Sequence, residues 1–351
     1  MSTAAQQPST VPFGNQSGRI TITDVARAAG VSVATVSKVV NGRYGVAPAT
    51  AERVLAVVEE LGYESSLVAR SLRRSSTNVI GVLVAEFEPY SSELLKGISA
   101  AIDGTGYELL AYSGGSDGGV RTGWERRSLS RLAGTLIDAA IVVTPTMVMS
   151  EGVGIPVVAV DPHRGPEGLH TVDADNVTGA RDAVEHLLAL GHRRIAHLGG
   201  REDLESARLR ELGYRQALEA ADLPVDPELV RVGGYRPDLA DVPARELLDP
   251  VSGHRPTAVF AANDLSAIHV MEVAQELGLR VPQDLSVIGF DNVPEAANCT
   301  PPLTTVAQPL HRMGAEALRM LLDLLLGTPV DTHLQLPTSL VVRASTAPPA
   351  E

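Results

Sequence analysis

The spacing of apolar residues changes character once along the chain. From Ile20 to Leu72 they recur three and four positions apart, the period of amphipathic helices. From Val79 onward they gather into short runs, VIGVLVA, YELLAYS, AAIVVT, PVVAVD, RIAHLGG, AVFAAND, LSVIGFD and LTTVAQ, separated by helical stretches. Such alternation predicts parallel sheets covered by helices on both faces. The helices are expected over 91–104, 124–137, 177–190, 207–221, 239–248, 265–277 and 309–326.

In the first part, ITITDVARAAGVSVATVSKVVNG, Thr23 is placed to cap a short helix over 25–29 that Gly30 stops. Ser32 is placed to cap a second helix over 33–40, closed by Asn41 and Gly42. Two short helices about a tight Gly-containing turn make a helix-turn-helix pattern. Val25, Ala29, Val31, Val36 and Val40 can turn inward together, and a third helix over 50–61 brings Val54, Leu55, Val58 and Leu61 to close the core. Val33, Ala34, Ser37 and Lys38 then remain outside near the start of the second helix, a surface that fits a major groove. At this level three helices of any small domain would read alike.

LVARSLRRSST, residues 67–77, puts Val68, Ala69 and Leu72 on one helical stripe and Arg70, Arg73 and Arg74 on the other side. A helix of about two to three turns is marginal by itself, so an ordering partner is implied.

Charge sharpens the division. The formal net charge is −13, yet residues 1–78 carry 8 basic and 5 acidic groups, against 21 and 37 in the rest. A basic head on an acidic body points to a polyanion met by the head alone. At 351 residues two or three compact units are expected. The single cysteine, Cys299, fits a reducing compartment. Residues 1–18 show neither a cationic start nor an apolar core and read as a disordered tail rather than a signal peptide. With no apolar run of membrane-spanning length, a soluble, cytoplasmic protein without a membrane partner is expected.

The order TDVARAAGVSVATVSKVVNG, then a third helix and LGYESSLVARSL, closely resembles the DNA-binding head of the LacI/GalR family of bacterial regulators. Two departures are Ala47, where the family usually carries a Ser or Thr cap, and Ser65-Ser66 in place of Pro-Asn. The resemblance implies that Val33 and Ala34 face base edges, that Lys38 reaches a guanine or a phosphate, and that Thr21, Ser32, Ser37 and Asn41 hold the DNA backbone. Val33 and Ala34 carry no polar side-chain atom, so reading there would be steric, through a thymine methyl. The plainer reading of Thr35 and Ser37 is helix-surface polarity. The resemblance further implies a hinge helix that pairs with its twin in the minor groove, with Leu72 as the wedge and Arg70, Arg73 and Arg74 near phosphates. The plainer reading of that segment is a solvated basic linker.

For the body the resemblance implies a periplasmic-binding-protein-like pair of parallel-sheet lobes, so that head and body cover nearly everything from Ile20 to Pro348. Open α/β sheets bind ligands beyond the carboxyl ends of their strands. Glu86 to Tyr90, Asp161, Asn263-Asp264 and Asp291 follow apolar runs and are the pocket candidates. Carboxylates and amides accept and donate to paired sugar hydroxyls, and an aromatic face covers a pyranose, so this set suits a carbohydrate. By resemblance, SARLRELGYRQAL offers Arg210, VGGY offers Tyr235, AANDLSA offers Asn263 and GFDNVPEAANCTPPLTTVAQP offers Asp291 as effector contacts. Glu86, Glu88, Tyr90, Trp124 and Asp161 are the less specific matches, because the loop EFEPY is one residue shorter than is usual in the family. Competing structural roles are helix caps for Asp175, Asn176 and Asp264, a solvated charge for Arg208, packing under a lobe for Trp124 and a structural role for His192.

PLHRMGAEALRMLLDLLLG sets Leu310, Met313, Ala317, Leu321 and Leu325 on one stripe with Leu318 and Leu322 beside it, able to bury one side in its own lobe and offer the other to a twin. No leucine heptad follows Arg343, so a homodimer is expected rather than a tetramer built on a coiled coil. The expected organisation is a tail over 1–18, a helix-turn-helix head over 19–64, a hinge over 65–77, a two-lobe body over 78–345 and a tail over 346–351. The expected function is a sequence-specific repressor that binds an approximate inverted repeat of double-stranded DNA and is released by a mono- or oligosaccharide. An exported sugar-binding protein, or a regulator answering to a purine or other corepressor, are the alternatives. No dinucleotide, P-loop, nucleophile-elbow or metal-spaced His/Cys motif occurs, so neither an enzyme nor a cofactor is expected.

Overall fold

The computed structural model describes residues 20–40, 45–62, 76–114, 123–146, 154–166, 168, 170–249 and 255–350. The chain divides between residues 74 and 75 into a small helical unit and a large α/β unit. The expected contacts Asn41, Arg70, Leu72 and Arg73, and Arg74 with them, lie outside the described residues.

The helical unit is built from α1 (Ile22–Ala29), α2 (Val33–Val40) and α3 (Pro48–Leu61). The cap of α1 is Thr21 rather than Thr23: its backbone N–H and its hydroxyl both donate to the Asp24 carboxylate, at 3.0 and 2.6 Å. The signal was the spacing of Thr21 and Asp24, a hydroxyl residue and an acid three positions apart. Gly30 and Gly62 close α1 and α3 in the left-handed region, at φ 65° and 61°. Ala47 supplies no side-chain cap, and Pro48 starts α3 with its φ preset for the first turn. Val25, Ala26, Ala29, Val36 and Val54 form the buried core, flanked by half-buried Val31, Val40, Val58 and Leu61. Leu55 does not join it; one position past Val54 on the helix, it turns outward and is 52% exposed.

In the large unit β1 (Val79–Val84), β2 (Glu108–Ser113), β3 (Ala139–Val143), β4 (Val157–Val160), β5 (His170–Ala174) and β11 (His333–Leu336) make a parallel sheet of order β11-β5-β4-β3-β1-β2. A second sheet, β12-β10-β9-β8-β6-β7, joins β6 (Ile195–Gly199), β7 (Val230–Val232), β8 (Ala258–Ala261), β9 (Ser286–Asp291) and β10 (Thr304–Ala307) in parallel, with β12 (Ser339–Val341) antiparallel at its edge. Helices α4 (Pro89–Ala101), α5 (Trp124–Leu132) and α11 (Leu310–Leu325) cover the first sheet. Around the second lie α6 (Asn176–Ala189), α7 (Glu205–Ala220), α8 (Pro237–Leu248), α9 (Asp264–Glu276) and the short α10 (Pro294–Asn298). β5, β7, β11 and β12 were not expected from the sequence; they are short, and β5 and β11 interleave His, Asp and Gln with their apolar residues.

The chain passes from one lobe to the other three times, between β5 and α6, between β10 and α11, and between β11 and β12. The crossings are bonded to one another. The Asp175 N–H donates to the Leu336 carbonyl at 2.8 Å, and the Thr338 hydroxyl donates to the Asp175 carbonyl at 3.1 Å.

Three other expectations change. The helix from Trp124 ends at Leu132, because Ala133 is extended and Gly134 takes φ 70°, so that Ile137 enters the core as a separate turn. Leu310, Met313, Ala317, Leu318 and Leu321 of α11 are all buried within their own lobe, where α11 lies so close to α4 that a Cβ on Gly97 would sit 2.0 Å from the His311 carbonyl oxygen. Leu326, just past α11, stays 80% exposed. The expected tail from 346 is tied down: Ala347 donates its N–H to Ser286 at 3.0 Å, and its carbonyl accepts from the Ser286 hydroxyl at 2.9 Å.

Candidate functional site

A cavity of about 480 Å³ opens between the two lobes. Its walls come from the carboxyl ends of strands: Ala85, Glu86, Glu88 and Tyr90 after β1, Thr144 after β3, Asp161 and His163 after β4, Arg201 after β6, Tyr235 and Arg236 after β7, Asn263 after β8 and Asp291 at the end of β9. Ser206 and Arg210 reach it from α7. The described residues include seven non-glycine residues at positive φ, and four of them, Thr144, Asp161, Tyr235 and Asp291, line this cavity. Such backbone costs free energy and persists where surrounding structure holds it, typically at a ligand site.

Arg210 is the hub. Only 3% exposed, it donates through Nε to Asn176 Oδ1 at 2.8 Å and through Nη1 to the Ala262 carbonyl, with Asp291 Oδ1 3.4 Å from the same nitrogen. Its guanidinium carbon lies 3.9 Å from the Phe290 ring centroid and 5.6 Å from that of Tyr235, within cation–π reach of both. Asp291 also accepts from Gln308 Nε2 at 2.7 Å, which ties the hub to the second crossing, as Asn176 ties it to the first. Asn176 is therefore no helix cap; Asp175 caps α6, accepting from the Thr178 N–H at 3.0 Å. The Tyr235 ring packs on the bare backbone of Gly200, where a Cβ would come within 2.2 Å of it.

Burial dominates the electrostatics. It pushes the Asp291 carboxyl up to about 7 although Arg210 pulls the other way, and raises Asp161 to about 6 against the same pull. Glu88 is raised by burial and by the nearby Glu86. Burial holds His163 down to about 4. The Tyr90 hydroxyl lines the cavity with no hydrogen-bond partner among the described residues. Asn263 spends one group on each side, accepting from the Ser266 N–H and donating to the Tyr235 carbonyl, both at 3.0 Å, which leaves one proton and one lone pair for a ligand. Asp264 is wholly internal, accepting from the Thr305 hydroxyl and from the Val293 N–H.

Across the cleft the Glu205 N–H donates to the His163 carbonyl at 2.9 Å, and Arg236 bridges to Glu86 at 3.4 Å. Trp124 does not line the cavity. It is buried under the first sheet on Gly114, where a Cβ would meet its ring at 2.2 Å. His192 is structural, bonded to Thr257, Ser286 and Ala347, and Arg208 is an exposed helix charge paired with Glu205. The sequence reading missed His163, Ser206, Gln308 and Arg236; Ser206, beside Arg210 in SARLR, and Gln308, near the end of the stretch that offered Asp291, stood in stretches already singled out. Among the described residues no cluster of His, Cys, Asp and Glu is arranged to hold a metal, and no helix is long and apolar enough to cross a membrane.

In the helical unit Val33 (42% exposed), Ala34 and Lys38 stand outward on α2, Ser37 is half-buried, and the Ser32 hydroxyl accepts from the Thr35 N–H at 3.1 Å. Thr21 is committed to Asp24.

Residues 21–66 match the family described as "Bacterial regulatory proteins, lacI family", and residues 184–346 match "Periplasmic binding protein-like domain". The HTH-type transcriptional regulator CelR of Thermobifida fusca is 36% identical over 342 residues, covering 93% of this chain and 98% of that one. The HTH-type transcriptional repressor PurR of Pectobacterium carotovorum is 36% identical over 336 residues, covering 93% and 97%. Among solved structures, a CelR–cellobiose complex superposes with a TM-score of 0.68 at 33% identity, covering 93% of this chain and 100% of that one. A lac repressor dimer bound to operator and the anti-inducer ONPF gives 0.78 at 30%, covering 94% and 99%.

Proposed function

The chain belongs to the lacI family of bacterial regulatory proteins, DNA-binding transcription regulators and not enzymes, and from that premise we propose that it is a dimeric repressor released from its operator by a saccharide. The observation that carries the saccharide reading is the hub in the cleft: Arg210, Asp291 and Asp161 present charged donors and acceptors beside the Tyr90 and Tyr235 rings in one cavity of about 480 Å³. A ring with hydroxyls on its edge and C–H groups on its faces satisfies both kinds of surface at once. The likeness to a regulator solved with cellobiose supports this.

On the DNA side, exposed Val33, Ala34 and Lys38 are suited to a major groove, and a second copy supplies the matching half-site. Leu72 and the arginines around it would then enter the minor groove between the two heads. Replacing Leu72 with Ala is expected to weaken operator binding and reduce bending in a phasing gel while sparing saccharide affinity; undiminished bending counts against the wedge.

The test is calorimetry of the full-length protein against a panel of mono- and disaccharides with purine bases alongside, followed by titration of the bound complex with a duplex selected from a randomised pool. A binding sugar that weakens duplex affinity is the expected result. A second reading goes with the equal likeness to the repressor PurR: a purine base fills the cleft and strengthens DNA binding. A panel in which purines bind and no sugar does selects that reading and removes the first.

A further inference from the structure

The carboxylate of Asp138, at the start of β3, collects four donors from three consecutive residues. Its Oδ2 accepts from the Ser76 hydroxyl at 2.6 Å and from the Asn78 N–H at 2.7 Å, and its Oδ1 accepts from the Thr77 hydroxyl at 2.9 Å. The Thr77 N–H reaches both oxygens, at 2.8 and 2.9 Å. Thr77 is buried, and Asn78 takes φ 54°, a left-handed turn that its bonded N–H holds in place. The sheet does not need this. It takes its register from Val79 paired with Glu108 and from Ile80 paired with Ala139, with nothing supplied by Ser76 or Thr77.

The held residues follow directly on the division of the chain between residues 74 and 75. β1 and β3 are neighbours in the first sheet, and Asp138 ties their amino ends together. Their carboxyl ends, about 20 Å away along the strands, bring Glu86 and Thr144 to the wall of the cavity. A movement of the first lobe around a ligand therefore carries residues 76–78 with it, instead of being taken up by rotation about their φ and ψ.

Resting on the reading of the chain as a repressor whose hinge enters the minor groove, we infer that Asp138 is a positioning residue for operator recognition: by holding Ser76, Thr77 and Asn78 it makes the first lobe fix the direction in which the hinge leaves the body. Without that hold the segment has to be ordered on the operator itself, which costs about five- to thirtyfold in affinity for each residue's backbone released. Random DNA, met through its phosphates by the head, bears no such cost.

The experiment compares the full-length protein with its Asp138→Asn variant for affinity to the selected duplex and to a scrambled duplex of the same length, by fluorescence anisotropy, alongside the unfolding temperature. Asparagine keeps the size of the side chain but turns one acceptor into a donor that faces N–H groups. Affinity for the selected duplex is expected to fall at least about fivefold, and bending in the phasing gel with it, while affinity for the scrambled duplex stays unchanged. Should Asp138→Asn fold poorly, Ser76→Gly carries the comparison: it removes one bond and frees one backbone while leaving the carboxylate in place, and should also cost about fivefold. A folded variant that binds the selected duplex within about twofold of the parent overturns the inference and reduces Asp138 to a cap on the start of β1. An equal loss on both duplexes overturns it too, by placing the fault in the head. If the parent protein selects no duplex from the pool, or if Leu72→Ala leaves binding and bending intact, the hinge reading falls and this inference falls with it.

Discussion

Arg210 shows how much one side chain holds in place. Arg210→Ala would leave Asp291 buried without its cation and strip Asn176 and the Ala262 carbonyl of a donor, at a cost of about 3–5 kcal/mol. A lower urea midpoint together with loss of the effector response is expected; unchanged stability would mean that Asp291 is neutral when folded. Asp161 works in the opposite sense. Burial holds its carboxyl near 6, against about 4 for an unfolded chain. A carboxyl that binds its proton more tightly when folded lowers stability above the folded value, and returns it as pH falls from about 6 to about 4. In ligand-free protein Asp161→Asn should therefore raise the unfolding temperature at neutral pH, by about 1–2 kcal/mol in stability, with the gain vanishing near pH 4. A gain that persists in acid would point to packing instead. Arg210, Tyr235, Asn263 and Asp291 were legible because each stands in a local motif. Asn176 was not: it meets Arg210 from an element 34 positions earlier, and an asparagine at the start of a helix reads as a cap. Nor does a sequence reveal that Asp161 and Thr144 sit at positive φ.

Among the elements, α4 and α11 are the tightest pair. Their backbones touch at Gly97 against His311 and at Gly314 against Leu94, where a Cβ would fall 2.0 and 2.3 Å from carbonyl oxygens. A carbonyl in a helix has no rotamer to give way, so Gly97→Ala and Gly314→Ala should each cost about 1–3 kcal/mol, read as a drop in the denaturant midpoint. A variant as stable as the parent would show that the helices can part without loss. The helices themselves were legible to within about two residues at most ends because their apolar period is strong, and the eight central runs became strands for the same reason. The four strands that escaped notice owe their conformation to neighbours: β11 has an apolar residue only at alternate positions, and β7 and β12 are three residues each. Leu55 erred the other way, an apolar residue whose neighbour Val54 had already filled the inward position.

Across the whole molecule the charge is split, basic before residue 78 and acidic after it. Operator affinity should therefore fall steeply with salt, by about 0.9 in log K per log unit for each phosphate met. Effector affinity, set by short contacts inside a cleft, should change less than about threefold over the same range. Equal salt dependence of the two would mean that the ligand, too, binds through long-range charge. Parallel sheets under helices were legible in the alternation of runs and helices, and their division into two lobes through the family resemblance; the route of the chain between the lobes was not, since hydrophobic period says nothing about which lobe a helix joins.

That route has a consequence for how the protein is made. Because α11 and β11 belong to the first lobe but are encoded after almost all of the second, a ribosome finishes the second lobe's central strands while the first still lacks a core helix and exposes the bonding edge of β5. The half that is translated first is thus completed only after the central strands of the second have been made, and a chain cut short after residue 309 would carry that raw edge permanently.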